Sequence, residues 1–454
     1  MKYETTDPGE EYPLPAGIYT GPSGVPTQSG GHAVSHQSPK SEMDGLTPAE
    51  ADEKFASAAF AADPYPYYEF VRSTDPVRFV EPMNAWFLTR FSDVKTALED
   101  DRFVVAFDRY QENRIGPRVS EHDYFRVGRD FLVNNDPPRH TAFRRVFQKP
   151  FSSRRVQALK ANVELEAHRA IDDMLEMSNP DLVEHYTKRV PLSVIAEILD
   201  IPESDHEVVY HWAHAFHHIL AVNALTPAEL EEADEGAREA LAYFSSLVAE
   251  RRKTPGEDFI SVVVAANADS EDPMTDDEIA SNFFLLYFAG FDTQKFNFTN
   301  VVSTLDLHPD ARRHLAEDTS RVSQALPEVM RWDPVSHFMG RTVSEKIEIG
   351  GKTISPGETV MLGFGAATRD PSIFPNPNVL DLTRKEAIEA ERHLLFGYGR
   401  HHCVGSPLAK MNIEIMLRVL LDRIPEVSVD WPNAQRRMAV ALRGFDVLPI
   451  IVNP

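Results

Sequence analysis

Apolar positions recur every three to four residues over most of this chain, the signature of helices that bury one face. The pattern predicts helices over residues 139–147, 152–175, 187–199, 205–222, 227–251 and 276–306. Earlier, Pro64-Tyr65-Pro66-Tyr67-Tyr68 opens a helix with proline in its first turn. From Asp93 to Glu99 a further helix places Val94, Ala97 and Leu98 on one face. Alternation of period two is rarer. It marks Trp86-Phe87-Leu88-Thr89, Thr359 to Leu362 and Arg443 to Ile451 as strands. Ile347-Glu348-Ile349 and Lys352-Thr353-Ile354, separated by Gly350-Gly351, read as a hairpin. Residues 103–135 have neither period and read as irregular. The fold class that follows is mainly α with a smaller β portion, not a doubly wound α/β sheet.

Residues 1–45 differ in kind. They are rich in Gly, Pro, Ser and Thr, without apolar periodicity, and read as a flexible extension. Residues 46–454 read as one domain.

Charge and composition then narrow the function. Across 454 residues, 46 Lys and Arg stand against 70 Asp and Glu, a net charge of −24. With no run of basic residues to meet phosphates, nucleic acid is not an expected partner. No stretch is long and apolar enough to span a membrane, and the start lacks the apolar core of a signal peptide. The expectation is a soluble, cytoplasmic protein.

The single cysteine changes the picture most. Cys403 lies in Phe396-Gly397-Tyr398-Gly399-Arg400-His401-His402-Cys403-Val404-Gly405, just before the helical stretch Leu408 to Leu421. Alone, it can form neither an intrachain disulfide nor a multi-thiolate metal cage. A buried free cysteine acting as a small hydrophobe is the ordinary alternative. Glycines that admit close approach, and a helix N-terminus behind it, suit instead a single thiolate on one metal.

Phe-Gly-x-Gly-x-His-x-Cys-x-Gly resembles the haem-ligand loop of the cytochrome P450 family, with Val404 where leucine is usual. Other segments resemble the family in the same order along the chain. Ala289-Gly290-Phe291-Asp292-Thr293 resembles its oxygen-activation motif, with Gln294 where Thr or Ser is usual. Glu328-Val329-Met330-Arg331 matches Glu-x-x-Arg, and Asp136 to Arg145 matches its His-x-x-x-Arg segment. Ala367 to Pro371 and Phe374 to Pro377 match the stretch before the haem loop, with Thr368 where Asn is commoner.

The resemblance implies a P450-like fold, with a long central helix crossing over haem b. It implies that Cys403 is the axial iron ligand, in a loop where Phe396 and Gly397 touch the cofactor. His140, Arg144, Arg341 and His401 then hold the propionates, and Ala289 and Gly290 leave room above the iron. Thr293, fed by Asp292, delivers protons. Glu328, Arg331 and Arg384 become structural. Phe103, Val105, Phe107, Leu286, Ala289, Val335, His337, Phe338 and Phe445 become candidate substrate contacts. His211, His214 and His218 share a helix face, but no carboxylate or cysteine completes a metal site there; the resemblance places them on a lid.

The implied activity is monooxygenation: one oxygen atom from O2 is inserted into a hydrophobic small molecule by hydroxylation or epoxidation. The chain has no flavin or nicotinamide motif. Electrons would therefore come from NAD(P)H through a separate ferredoxin reductase and ferredoxin, docking on Arg144, Arg145, Lys149, Arg400 and Lys410 of a monomer. The alternatives are peroxide-driven oxidation, oxidative coupling, or a non-catalytic haem sensor. The Asp292-Thr293 pair speaks against a peroxide user, which needs no such relay.

Overall fold

The computed structural model describes residues 43, 45–55, 57–116, 118–216, 226–437 and 441–452. The N-terminal extension, except for residues 43 and 45, lies outside them, as do His218 and the end of the helix expected over 205–222.

The architecture is mainly helical with small sheets, as expected. The central element is a 32-residue helix, Asp276–Leu307, about 48 Å long at 1.5 Å per residue. A capping box fixes its start: the Glu278 N–H donates to Thr275 Oγ1 at 3.2 Å, and the Thr275 N–H donates to Glu278 Oε2 at 2.7 Å. Pro309 follows its end. Helices Lys160–Leu175, Arg189–Ile198, Pro227–Lys253 and Ser406–Arg423 enclose it in one apolar core.

The helix expected over 152–175 is two, Ser153–Ala158 and Lys160–Leu175. Residues 103–135, expected to be irregular, contain helices Phe107–Ile115 and Asp123–Arg129. Both are short and polar enough that periodicity alone does not reveal them. Helix Phe259–Ala268 also escaped the pattern, because it is apolar nearly all round and shows no amphipathic stripe.

The larger sheet has five strands, in the order Val77–Val80, Ala85–Leu88, Thr359–Leu362, Met339–Val343, Phe103–Val104. Only the Ala85–Leu88 and Thr359–Leu362 pair is parallel. The hairpin forms where expected, with Gly350 and Gly351 at φ +55° and +77°. The final strand is instead two fragments, Phe445–Val447 and Ile450–Ile451, in separate two-stranded sheets.

Behind the larger sheet lies a buried polar clamp. Arg331 Nε donates to Glu328 Oε2 at 2.6 Å, and Arg384 Nε donates to Glu328 Oε1 at 3.0 Å. Arg331 also donates to the Thr368 and Pro377 carbonyls, and the Asp381 N–H donates to Glu328 Oε1 at 3.0 Å. Glu328 and Arg331 are out of solvent. The i,i+3 spacing that usually gives a weak surface pair here ties helix Val322–Trp332 to the segment before the cysteine loop.

Candidate functional site

The cysteine loop is shaped by its glycines and closed by its backbone. Gly397 and Gly399 take φ +68° and +66°, a region that costs other residues strain. At Gly399 a Cβ would also come within 2.8 Å of the Leu98 carbonyl oxygen. The Cys403 N–H donates to the Phe396 carbonyl at 2.8 Å, and Arg144 donates to the His402 carbonyl. Helix Ser406–Arg423 starts three residues on, with Gly405 as its cap. Cys403 is accessible to water. Burial pushes its thiol up, while the Gly405 N–H, Arg144 and the Ser406 N–H pull it the other way. These are the groups that stabilise a thiolate or a metal-bound sulfur. The same loop borders an open hollow of about 680 Å³, lined by Leu98, Arg392, Tyr398, Arg400 and His402 among others.

The long helix supplies the second part. From Ile279 to Leu305 every residue is buried except Ala289, Gly290 and Thr293. A helix sealed along this length thus opens on one small patch, at i and i+4 spacing. Thr293 Oγ1 donates to the Ala289 carbonyl at 2.7 Å. Gln294 Nε2 donates to the Gly290 carbonyl at 2.6 Å. Two successive turn carbonyls are therefore taken by side chains. Asp292 is buried and pairs with Lys295.

The third part is a group of cations and donors. His140 and Arg144 share one face of helix Arg139–Phe147. The His140 and His401 rings lie 4.2 Å apart between centroids. Buried His140 Nδ1 and His401 Nε2 have no hydrogen-bond partner. Arg341 is buried, and Nη1 donates only to the Gly340 carbonyl, at 2.8 Å. Burial lowers Arg341 to about 10, partly offset by Asp136. Burial, then the Arg144 and Arg341 charges, lower His140 to about 4. Burial, then Arg341 and other cations, lower His401 to about 2. Buried donors without acceptors are costly, and this set makes no ion pair to a carboxylate among the described residues. It suits the two propionates of a haem whose iron takes one sulfur ligand, so the residues present fit that group.

Several candidate substrate contacts have partners within the protein. Phe103 belongs to the core beneath the larger sheet. Phe338 packs 5.9 Å from Phe55 and 6.4 Å from Phe87 in a separate aromatic core. His337 is 1% exposed; its Nδ1 meets the Tyr68 hydroxyl at 2.9 Å, and its Nε2 is 3.7 Å from Asp333. Phe445 is buried against Trp431 and Arg436, and its N–H donates to Thr299 Oγ1 at 3.2 Å. These four side chains are packed within the protein. Phe107 stacks on Phe125 at 5.5 Å. Val105 is half-buried, and Leu286 and Val335 are buried with little surface showing.

Met339, at the end of the stretch from Val335 that the family resemblance places along the pocket, is 41% exposed and two residues before Arg341 on one strand face. Sequence reading missed Lys295 and Asn412. His211 and His214 are exposed, and no group of three or more His, Cys, Asp or Glu able to hold a metal occurs among the described residues. The expected basic patch shrinks. Arg400 pairs with Asp101 and Lys410 with Glu391, and Arg144 turns inward. Arg145 and Lys149 remain exposed, without an ion pair to any described residue.

Comparisons with known proteins agree on one family. A family model described as Cytochrome P450 matches residues 81–424. Mycinamicin IV hydroxylase/epoxidase of Micromonospora griseorubida is 33% identical over 392 residues, covering 85% of this chain and 94% of that protein. 6-Deoxyerythronolide B hydroxylase of Saccharopolyspora erythraea is 31% identical over 410 residues, 87% of this chain and 97% of that protein. Among solved structures, P450BioI in complex with a hexadec-9Z-enoic acid ligated acyl carrier protein matches with a TM-score of 0.79 at 29% identity. That match covers 87% of this chain and 99% of the other.

Proposed function

The chain belongs to the cytochrome P450 family, and from that premise we propose how its own residues serve the reaction. The enzyme is a haem-thiolate monooxygenase that uses haem b, a small-molecule substrate and a redox partner. When bound, the haem supplies the iron chemistry that reduces dioxygen and passes one oxygen atom to the substrate.

In our reading Cys403 would give the iron its sulfur ligand; burial raises the free thiol, and the Gly405 and Ser406 N–H groups and Arg144 partly offset that. His140, Arg144, Arg341 and His401 would anchor the propionates, with His140 Nδ1 and His401 Nε2 the nitrogens that otherwise lack a partner. Phe396 and Gly397 form the wall of the loop. Ala289 and Gly290 open the helix surface where a diatomic molecule fits. Thr293 Oγ1 holds a proton at that opening, and Asp292, on the buried side of the same turn, supplies it. The observation that carries this reading is the accessible patch Ala289, Gly290 and Thr293 on an otherwise sealed helix.

The substrate is a hydrophobic organic molecule, and candidate contacts are now Val105, Phe107, Leu286, Ala289, Val335 and Met339. Residues 46–454 act as one cytoplasmic, monomeric domain. The shared core around the long helix supports the single domain. Among the described residues no helix is long and apolar enough to cross a membrane. Electrons come from a ferredoxin, docking at Arg145 and Lys149.

Turnover tests this. NADPH with a surrogate ferredoxin and its reductase should drive oxidation of a hydrophobic probe, and Thr293→Ala should divert most reducing equivalents to peroxide. Oxidation with peroxide alone, unaffected by Thr293→Ala, would favour the peroxide-user reading.

A further inference from the structure

Lys295 is a buried cation one helical turn beyond Asp292. Its Nζ lies 2.7 Å from Asp292 Oδ1, and the two side chains are 9% and 5% exposed. The ammonium also sits 4.4 Å from the Phe296 ring centroid and 5.4 Å from that of Phe291, contacts that stabilise it where it stands. Burying an ammonium costs free energy that an apolar side chain of the same length avoids. Packing alone therefore does not account for a lysine here.

The neighbouring side chains leave little room to rearrange. Thr293 bonds to the Ala289 carbonyl, and Gln294 bonds to the Gly290 carbonyl. Gln294 also accepts from Asn412 at 2.9 Å. All four polar side chains from 292 to 295 are thus committed to partners. The Tyr210 and Tyr287 rings pack 5.4 and 5.7 Å from Phe291, and their phenols feel the Asp292 charge. Burial and then that charge raise Tyr210 to about 12, and Tyr287 is raised by burial and by Tyr210, Glu207 and Asp292. Tyr210 is half-buried beneath Lys188, whose Nζ is 4.2 Å from the ring centroid and 2.9 Å from Glu184 Oε1. Asp292 therefore has Lys295 as its ion-pair partner on its own helix, and Tyr210, 5.4 Å from the adjacent Phe291 between ring centroids, carries the Lys188–Glu184 pair.

We propose that Lys295 is a positioning residue for proton delivery, holding Asp292 as an oriented carboxylate between the Tyr210 side and Thr293. The Asp292 carboxylate accepts a proton from the outer side and passes it to Thr293 Oγ1 as the Thr293 hydroxyl gives its own proton up at the opening beside Ala289 and Gly290. Lys295 favours the ionised form between transfers, when the carboxylate waits for its next proton. Without Lys295 the buried carboxyl stays protonated at neutral pH and cannot accept the next proton. This inference rests on Asp292 and Thr293 as the proton pair.

The test is infrared difference spectroscopy on the purified full chain, haem-loaded and haem-free. In Lys295→Met a protonated-carboxyl band should appear at neutral pH. It should vanish in the Lys295→Met, Asp292→Asn double variant and be missing from wild type and Lys295→Arg. With NADPH and a surrogate ferredoxin pair, Lys295→Met should release several-fold more peroxide per NADPH, and Lys295→Arg should restore the wild-type ratio. Lys295→Gln carries the same test should the methionine variant fail to fold. No new carboxyl band in the charge-removing variant overturns the proposal, whatever the peroxide ratio. A wild-type protein showing the thiolate carbon monoxide spectrum with silent Lys295 variants sinks this inference alone. A wild type lacking that spectrum sinks the site reading beneath it.

Discussion

The side-chain amide of Asn412 donates to Gln294 Oε1 at 2.9 Å, joining the long helix to the helix that follows Cys403. Both residues are buried. Gln294 stands where relatives of the motif usually carry Thr or Ser, and the longer amide spans a gap that a hydroxyl would leave open. The bond links the helix that carries Thr293 to the helix behind the sulfur.

Gln294→Leu leaves the Asn412 amide without that acceptor in a dry interior. The expected cost is about 1–3 kcal/mol, read as a lower urea midpoint at unchanged slope. The Thr293 to Ala289 bond is separate and should survive. Haem spectra should therefore stay those of wild type.

Glu328 is the hub of the clamp, accepting from Arg331, Arg384 and the Asp381 N–H. Glu328→Ala strands two buried guanidinium groups. The predicted loss is about 3–5 kcal/mol, measured by chemical unfolding, with reduced haem content as the visible consequence.

Much of this was legible in the sequence, and the divide is physical. The placement of Cys403, Thr293, His140 and Glu328 was readable because it depends on local spacing: a loop before a helix, or residues three or four apart on one face. The packing of His337 and Phe338 was not, because the orientation of a loop side chain is set by distant partners. His337 illustrates this. Tyr68 and Asp333 claim its ring, and the Ala441 carbonyl accepts from its N–H at 2.9 Å. Nothing within ten residues of Tyr68 announces that contact. Lys295 was readable by its i,i+3 spacing from Asp292, but such pairs are usually exposed, and only burial gives this one weight.

His337 gives a pH prediction. Burial lowers its pKa to about 4, against about 6.5 in the unfolded chain. Between these values the unfolded state binds the extra proton, so stability falls as pH drops. The contribution is complete above about pH 6.5 and is lost progressively toward pH 4. Relative to pH 7, about 2 kcal/mol should be lost from this residue by pH 5. Urea midpoints at the two pH values should show that slope in wild type and a shallower one in His337→Gln.

Arg145 and Lys149 are the exposed cations that remain of the expected docking patch. Reversing both to glutamate should slow reduction by an acidic ferredoxin on the order of tenfold at low salt. Added salt should narrow the difference. Stopped-flow reduction at two ionic strengths measures it, and equal rates at low salt would place the docking surface elsewhere.

The central claim is that the Cys403 sulfur binds the haem iron. The direct measurement is the reduced, carbon monoxide difference spectrum of the wild-type protein beside Cys403→Ser. The account predicts the red-shifted Soret band of thiolate ligation in wild type and its loss in the variant. An imidazole-type band in wild type, or a thiolate band that persists in Cys403→Ser, would contradict it.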